Sequence, residues 1–411
     1  MQQIKASSTL HSQIPPMPRL AVQAMTLTNA FGTGLEPTLA GLKAGQTALT
    51  PGDFPGLNFE TWIGRISGIE SHRLPTRLDD FDARNHRIID VALDQDGFRQ
   101  KVRALIQKFG ADRIGLILGT STSGILETEK AYLRRNPEDG SLPIDFRYRE
   151  RQNTSAPAAF VQTLLGVAGP AWVLSTACSS SSKVFGSAAR LLQAGWCDAV
   201  IVGGADSLCL TTLYGFKALD LVATHPSRPM DQMREGISIG EGAGFMILTR
   251  DYEPEEGICL IGYGESSDAY HMSSPHPDGI GAARAIAEGL QRARLEASQV
   301  DFTLLHGTGT RANDLSEDKA VIQILGEKSA CASIKGAIGH TLGAAGIMNA
   351  VVACLSLREG FYPGTAHLAS LDPKIHSHVL KEPQIQTGQH ILTNAFGFGG
   401  SNAVLLFGRS P

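Results

Sequence analysis

Residues 172–204 read WVLSTACSSSSKVFGSAARLLQAGWCDAVIVGG. Trp172–Leu174 is a short apolar run, Ser179–Ala194 carries small and apolar residues at helical spacing, and Ala199–Gly203 is a second uninterrupted apolar run. Strand, helix and strand in that order, with strands that are apolar throughout, predict a parallel or mixed sheet covered by helices on both faces. Cys178 falls between the end of a strand and the first turn of a helix. Backbone N–H groups are unpaired there and the helix dipole is positive, which favours thiolate over thiol. Small neighbours leave room for a substrate. The elbow alone is equally compatible with a buried structural thiol.

The same grammar extends outward in both directions. Leu20–Met25 reads as a strand, Phe31–Gly34 as a turn, and a helix runs through Leu39–Leu42. Arg87–Phe109 has a mostly helical spacing, and Arg113–Gly119 is a strand ending in the Gly/Ser/Thr turn Gly119–Gly124. Residues 127–153 are charged and rich in turn formers, which predicts a long irregular excursion. Phe245–Leu248 closes this part as another strand. From about Glu255 the pattern restarts, with strands at Cys259–Gly264, Phe302–Leu305 and Ala403–Phe407 and helices at Gly281–Ala293, Asp314–Ile324 and Gly343–Leu357. The chain therefore divides into a tail over 1–18, a half over 19–254 with Cys178, and a half over 255–411. The two halves read as one α/β unit used twice.

Composition narrows the classes. The 411 residues are 42% hydrophobic, which excludes a disordered chain. Only 18% are charged, against about 25% in typical domains, which points to a surface buried against another subunit. A net charge of −4 argues against a protein that coats nucleic acid. No apolar run approaches the length of a membrane span, and the first 18 residues lack the apolar core of a signal peptide, so a cytoplasmic location is expected. The six cysteines are scattered without metal spacing, as in a reducing compartment.

Three further clusters could carry chemistry. Leu304-Leu-His306-Gly-Thr308-Gly-Thr310 puts a histidine at the carboxyl end of an apolar strand, where ligands collect in such sheets. Lys335-Gly-Ala-Ile-Gly-His340 leads into the small-residue run Thr341–Gly346. In Asn394-Ala-Phe396-Gly397-Phe398-Gly399-Gly-Ser-Asn402, glycines let backbone N–H groups approach a ligand, although a hairpin turn with two core aromatics fits as well. The histidines lack metal-ligand spacing. No dinucleotide fingerprint and no hydrolase nucleophile elbow is present.

Together and in this order, TACSSS, HGTGTRANDLSE, KGAIGHTLGAAG and NAFGFGGSN resemble the β-ketoacyl-acyl-carrier-protein synthases, the elongating condensing enzymes. Ser227–Asp231, Gly236–Gly242 and Ser266–Pro275 support the resemblance, and Gly119–Ile125 is most similar to synthases of bacterial aryl-polyene pathways. The resemblance implies a thiolase-like five-layer αβαβα fold of two duplicated halves, usually dimeric. It implies that Cys178 accepts an acyl chain and that His306 and His340 hydrogen-bond the malonyl thioester carbonyl during decarboxylation. Lys335 would act by charge and orientation, with Glu317 as its acidic partner. Thr308 and Thr310 would hold the pantetheine arm. Backbone N–H groups of Cys178 and Phe398 would form an oxyanion hole, within a gating loop that includes Phe396, Gly397, Phe398 and Gly399; Asp268 would lie near the gate. No metal and no resident cofactor are implied, because phosphopantetheine arrives on the acyl carrier protein. That acidic partner should find a basic patch, for which Arg84 and Arg87 are candidates. The second subunit would be an identical copy or a related ketosynthase-like chain, as in ketosynthase/chain-length-factor pairs with one active and one silent subunit. The retained Cys178 and histidines set this chain apart from the silent kind. The lysine-histidine segment, with no cysteine after Cys354, sets it apart from thiolases and initiating synthases. Leu304 and Asn349 stand where relatives often carry Asn and Glu at a structural cation site, so that site is expected to be absent. Residues 127–165 are atypical, where relatives shape the acyl pocket and dimer contact.

Overall fold

A computed structural model describes residues 14–250 and 257–410. Most of the expected tail, residues 1–13, and the expected boundary near 255 lie outside the described residues. The main sheet has twelve strands among the described residues, two of them the short pieces Gly32–Thr33 and His378–Val379; the other ten are β1 (Leu20–Asn29), β2 (Ile114–Gly119), β3 (Ala171–Leu174), β4 (Ala199–Asp206), β5 (Gly242–Arg250), β6 (Ile258–Ser267), β7 (Phe302–Leu304), β8 (Ala330–Ala332), β9 (His390–Gly397) and β10 (Ser401–Arg409). Their spatial order is β8-β7-β9-β10-β6-β1-β5-β4-β2-β3. On one side of the centre, β3, β2 and β4 run parallel, and β5 and β1 alternate antiparallel. On the other, β8, β7 and β9 run parallel, and β10 and β6 alternate antiparallel. One five-strand pattern is thus laid down twice. The two copies meet through only two residue pairs of β1 and β6, Leu20 with Leu260 and Ala21 with Cys259.

The helices are α1 (Leu35–Lys43), α2 (Arg84–Leu93), α3 (Phe98–Phe109), α4 (Ile125–Leu133), α5 (Ala156–Leu165), α6 (Ser180–Gln193), α7 (Leu210–Ala218), α8 (Ile280–Ala293), α9 (Arg311–Leu325), α10 (Lys335–Ile338) and α11 (Ala345–Glu359). Ile88, Phe98 and Phe160 of α2, α3 and α5 pack with Ile201 and Phe245 on one outer face. Ile286 of α8 and Val321 of α9 pack with Leu406 on the other. Phe185 of α6 and Val351 of α11 share the central cluster with strands of both halves. The result is five layers, helix and sheet alternating. Leu342–Glu359 is long and apolar enough to cross a membrane, yet 89% of it is buried in the fold, as a central helix must be.

Close approach of the central helices depends on glycine. A Cβ at Gly346 would lie 2.5 Å from Ser182 N, and one at Gly119 would lie 2.4 Å from Ser181 N. Both contacts seat the first turn of α6, the turn that follows Cys178.

Several local expectations change. The helical spacing over 87–109 belongs to two helices, because Asp96 and Gly97 take φ of 53° and 69° and break the ladder. The Asp96 carboxylate accepts from Thr26 Oγ1 and Leu35 N, which holds the break. The excursion over 127–153 overlaps α4 and includes a π-helical turn at Tyr148–Gln152 before it reaches α5. In the closing cluster, Asn394–Gly397 is the end of β9 and only Phe398–Gly400 is turn. Asn394 and Phe396 read as loop residues because glycines follow them, whereas pairing with β10 decides their conformation.

Candidate active site

The elbow after β3 is built by its serines. Ser180 Oγ accepts from Thr176 N at 2.9 Å and donates to Ala177 O at 2.6 Å. Ala177 sits at φ 51°, a left-handed conformation that costs a non-glycine residue about 1–3 kcal/mol. This turn aims Cys178 toward the ends of the second-half strands. Gly397 comes against it so closely that a Cβ there would lie 2.7 Å from Thr176 O.

The structure brings Cys178, His306 and His340 together. Cys178 Sγ lies 3.0 Å from His340 Nε2. One ligating atom of each residue lies within 4.8 Å of the others, and the two imidazoles meet edge to face with centroids 5.4 Å apart. The His340 tautomer follows from its other nitrogen: Nδ1 accepts from Leu342 N at 3.2 Å, so Nε2 carries the proton and points it at the thiol. Lys335 Nζ lies 3.4 Å from His306 Nδ1 and donates to the His306 carbonyl, so Nε2 of that ring carries its proton too. The cluster has the spacing of a metal site, but the lone pair that a metal needs at His340 Nε2 is capped by this proton.

Burial pushes both imidazoles well below the ordinary histidine range, and the Lys335 charge adds to it. Burial also brings Lys335 down to about 8, against the pull of Glu317 and Cys178. The Cys178 thiol is pushed up to about 11, first by burial, although Lys335 and backbone N–H groups of Phe398 and Cys178 favour its anion. Cys178 is only 6% exposed, so loss of water opposes the anion that the helix start favours.

Glu317 is buried and accepts from His306 N and Gly307 N, both at 2.7 Å, and from Asn394 Nδ2 at 2.9 Å. It makes no ion pair with Lys335 and reaches that lysine only through its field. Its contacts hold the backbone that carries His306. Thr308 and Thr310 share a hydrogen bond of 3.0 Å, and Thr310 Oγ1 caps α9 through Asn313 N. Both line a narrow cavity of about 80 Å³ that leads to Cys178, with His306, His340, Phe396, Gly397, Phe398 and Asp268 also on its wall. Phe398 stands beside Phe216, centroids 5.5 Å apart, so two rings narrow this passage. Gly399 is outside the cavity wall and donates its N–H to Met272 O at 2.7 Å, tying the gate loop to the segment after Asp268. Asp268 accepts from Asn402 Nδ2 at 2.7 Å and His276 N at 3.0 Å.

Arg84 and Arg87 are corrected as docking residues. Arg84 is buried and clamps Glu241 through Nε at 2.8 Å and Nη2 at 2.5 Å. Arg87 is forked onto Asp82, both contacts 2.5 Å. A charge spent on a neighbouring carboxylate offers little to a partner. Two residues, Phe216 and Asp206, escaped the sequence reading, and the bond of Asn394 to Glu317 is a tertiary fact. Phe216 has no motif to mark it. Asp206 is a carboxylate at the carboxyl end of the apolar run of β4, a signal that was visible.

Asn349 donates to Leu305 O at 3.1 Å and Asn394 O at 3.2 Å, so its amide already serves the carbonyls in that corner.

Comparison with known proteins agrees with this geometry. Residues 76–253 match the β-ketoacyl synthase N-terminal domain and residues 258–369 the C-terminal domain. The chain is 30% identical to 3-oxoacyl-[acyl-carrier-protein] synthase 2 of Vibrio cholerae, over 95% of this chain and 99% of that one. The corresponding protein of Synechocystis is 33% identical over 74% of this chain and 77% of its own. Among solved structures, a ketosynthase (ApeO) in complex with its chain length factor (ApeC) from Xenorhabdus doucetiae superposes with a TM-score of 0.87 at 34% identity, covering 95% of this chain and 98% of that one. The ishigamide ketosynthase/chain length factor gives 0.84 at 25%, over 96% and 99%.

Proposed function

Because this chain belongs to the β-ketoacyl synthase family, we propose that it condenses malonyl-acyl-carrier protein with an acyl chain held on Cys178, releasing carbon dioxide and a 3-oxoacyl-carrier protein. The observation that carries the reading is the 3.0 Å approach of His340 Nε2 to Cys178 Sγ with His306 beside it. In the first stage the Cys178 sulfur attacks the acyl thioester of the carrier's pantetheine. A new thioester forms, the pantetheine thiol leaves, and the thiol proton passes to it. Backbone N–H groups of Cys178 and Phe398 face the sulfur and can receive the oxyanion. In the second stage malonyl thioester occupies the same cavity. The Nε2 N–H of each imidazole donates to its carbonyl, so the electrons freed by loss of carbon dioxide rest on a stabilised enolate. The enolate carbon bonds to the acyl carbonyl of the Cys178 thioester as the C–S bond breaks, and the Cys178 sulfur leaves as a thiolate that takes up a proton. Neutral histidines suit this role, since they donate without being consumed as bases. Lys335 holds His306 and Glu317 holds the backbone beneath it. Thr308 and Thr310 are placed along the passage to take the pantetheine arm, and the Phe398 ring is the gate. No resident cofactor enters the scheme.

The partners are an acyl carrier protein and a second ketosynthase-like subunit, in the cytoplasm. The ketosynthase/chain length factor likeness favours a heterodimer in which this chain, with Cys178 and both histidines, is the active member. Incubation with acyl-carrier protein should add one acyl mass to the peptide containing Cys178. No adduct, or an adduct on another cysteine, removes the assignment.

A further inference from the structure

Asp206 is fully buried at the end of β4, and its carboxylate gathers donors from both halves of the chain. From the first half it accepts from Thr120 Oγ1 at 2.5 Å, from Ser121 N at 2.9 Å, and from Thr122 N and Thr122 Oγ1, both at 3.0 Å. From the second half it accepts from Gly343 N at 2.6 Å. Burial pushes the Asp206 carboxyl above its usual range while these donors pull it back. The three backbone N–H groups among them can only donate, so toward Ser121, Thr122 and Gly343 its oxygens act as acceptors. Gly343 follows closely on the lysine-histidine segment, and a Cβ there would lie 2.7 Å from Asp206 Oδ2 and 2.5 Å from Ser121 N. Only glycine lets this turn come down onto the carboxylate.

The residue between His340 and this contact is the informative one. Leu342 has φ 53°, a left-handed conformation in a residue with no polar side chain to reward it. The peptide N–H on one side of Leu342 donates to His340 Nδ1, and the N–H on the other donates to Asp206. The strained residue is held from both ends, and the bond at one end sets the tautomer of His340.

We propose that Asp206 is a positioning residue for the condensation, which acts across the two halves by pinning the Leu342 turn and so keeping the His340 Nε2 proton directed at the reacting carbonyl. This rests on the decarboxylative role given to His340 above. Nothing in it requires Asp206 to touch substrate.

The test is malonyl-carrier-protein decarboxylation in a Cys178→Gln background, with and without Asp206→Asn. The amide introduced by Asp206→Asn would present two hydrogens to a ring of donors, so the turn is released. The expected result is a fall of about 10–100-fold in kcat, the size of effect that a small misplacement produces, with KM for malonyl-carrier protein within about twofold. In the otherwise wild-type chain, Asp206→Asn should leave the rate of Cys178 alkylation by iodoacetamide undiminished. Decarboxylation that is equal in both backgrounds overturns the proposal, as does a parallel loss of kcat, KM and alkylation, which would mark a purely structural residue. No decarboxylation in Cys178→Gln itself would instead overturn the role of His340. If Asp206→Asn does not fold, the wild-type protein carries the test: ¹⁵N spectra should show a pyridine-type Nδ1 and a pyrrole-type Nε2 for His340, and a mixture of tautomers overturns the proposal.

Discussion

At the scale of single residues, the site trades solvation for orientation. Cys178, His306, His340 and Lys335 are all buried, and each is thereby moved toward its neutral form. Replacing His340 by Ala removes one donor to the developing enolate and should lower malonyl decarboxylation by about 10²–10³-fold. Cys178→Gln should abolish condensation while that half-reaction survives; full condensation in either variant contradicts the assigned roles. Lys335 supplies a pH signature. It is charged below about 8 and neutral above, so the charge that holds His306 is lost as pH rises through that value. Decarboxylation by the Cys178→Gln variant, where no thiol titrates, should therefore fall on the alkaline side of about 8. Lys335→Met should remove this limb and lower the plateau, and an unchanged profile in that variant would count against the lysine.

At the scale of elements, the site is made by the packing of α6 against α11 and by the anchoring of α2. Arg84 enters here. It clamps Glu241, which is fully buried and also accepts from Ile66 N and Leu208 N. Arg84→Met would strand that carboxylate, and a loss of about 3–5 kcal/mol in urea unfolding is expected. Arg87→Met removes a half-exposed pair and should cost no more than about 1 kcal/mol. Equal, small losses would mean that Arg84 is not the structural anchor its contacts describe. Most elements of the central layer were legible, because α6 and the buried strands carry apolar runs with clean ends. The break between α2 and α3 was not, since it depends on Asp96 reaching Thr26 and Leu35 on other elements. The same holds for β9, whose last residues look like a glycine loop until β10 pairs with them.

At the scale of the whole molecule, the sheet ends on one side in β3. Leu116 N donates to Pro170 O and Thr120 N to Leu174 O, so residues 170, 172 and 174 turn their groups inward. By alternation, Ala171 and Val173 present theirs outward. All four β3 residues are half-buried, and an apolar edge of this kind invites a second chain. Val173→Pro removes an outward donor while sparing the inner ladder. It should convert a dimer to monomers by light scattering while the fold is kept, and a retained dimer would place the subunit contact elsewhere. Stability should also carry a histidine signature. His86 is buried, stacked on Phe160, and burial brings it down to about 4. Between about 6.5 and 4 the unfolded chain binds a proton at this residue that the folded chain refuses. Stability from His86 is therefore full above about 6.5 and lost as pH falls, by about 1.4 kcal/mol per unit. Relative to His86→Gln, the wild-type chain should lose this advantage on acidification, and parallel pH curves for the two would refute it.

The sequence by itself determined the covered sheet, the doubled α/β plan and the four segments that hold the chemistry, because apolar runs, glycine turns and motif order are local properties. Only the tertiary structure decided that Cys178 is buried away from water, that Glu317 serves a backbone instead of a lysine, that Arg84 is an anchor, and that Asp206 reaches across to the His340 turn. Each of those depends on how much water is excluded and on which donors arrive from distant parts of the chain, and neither quantity is written in any single stretch of residues.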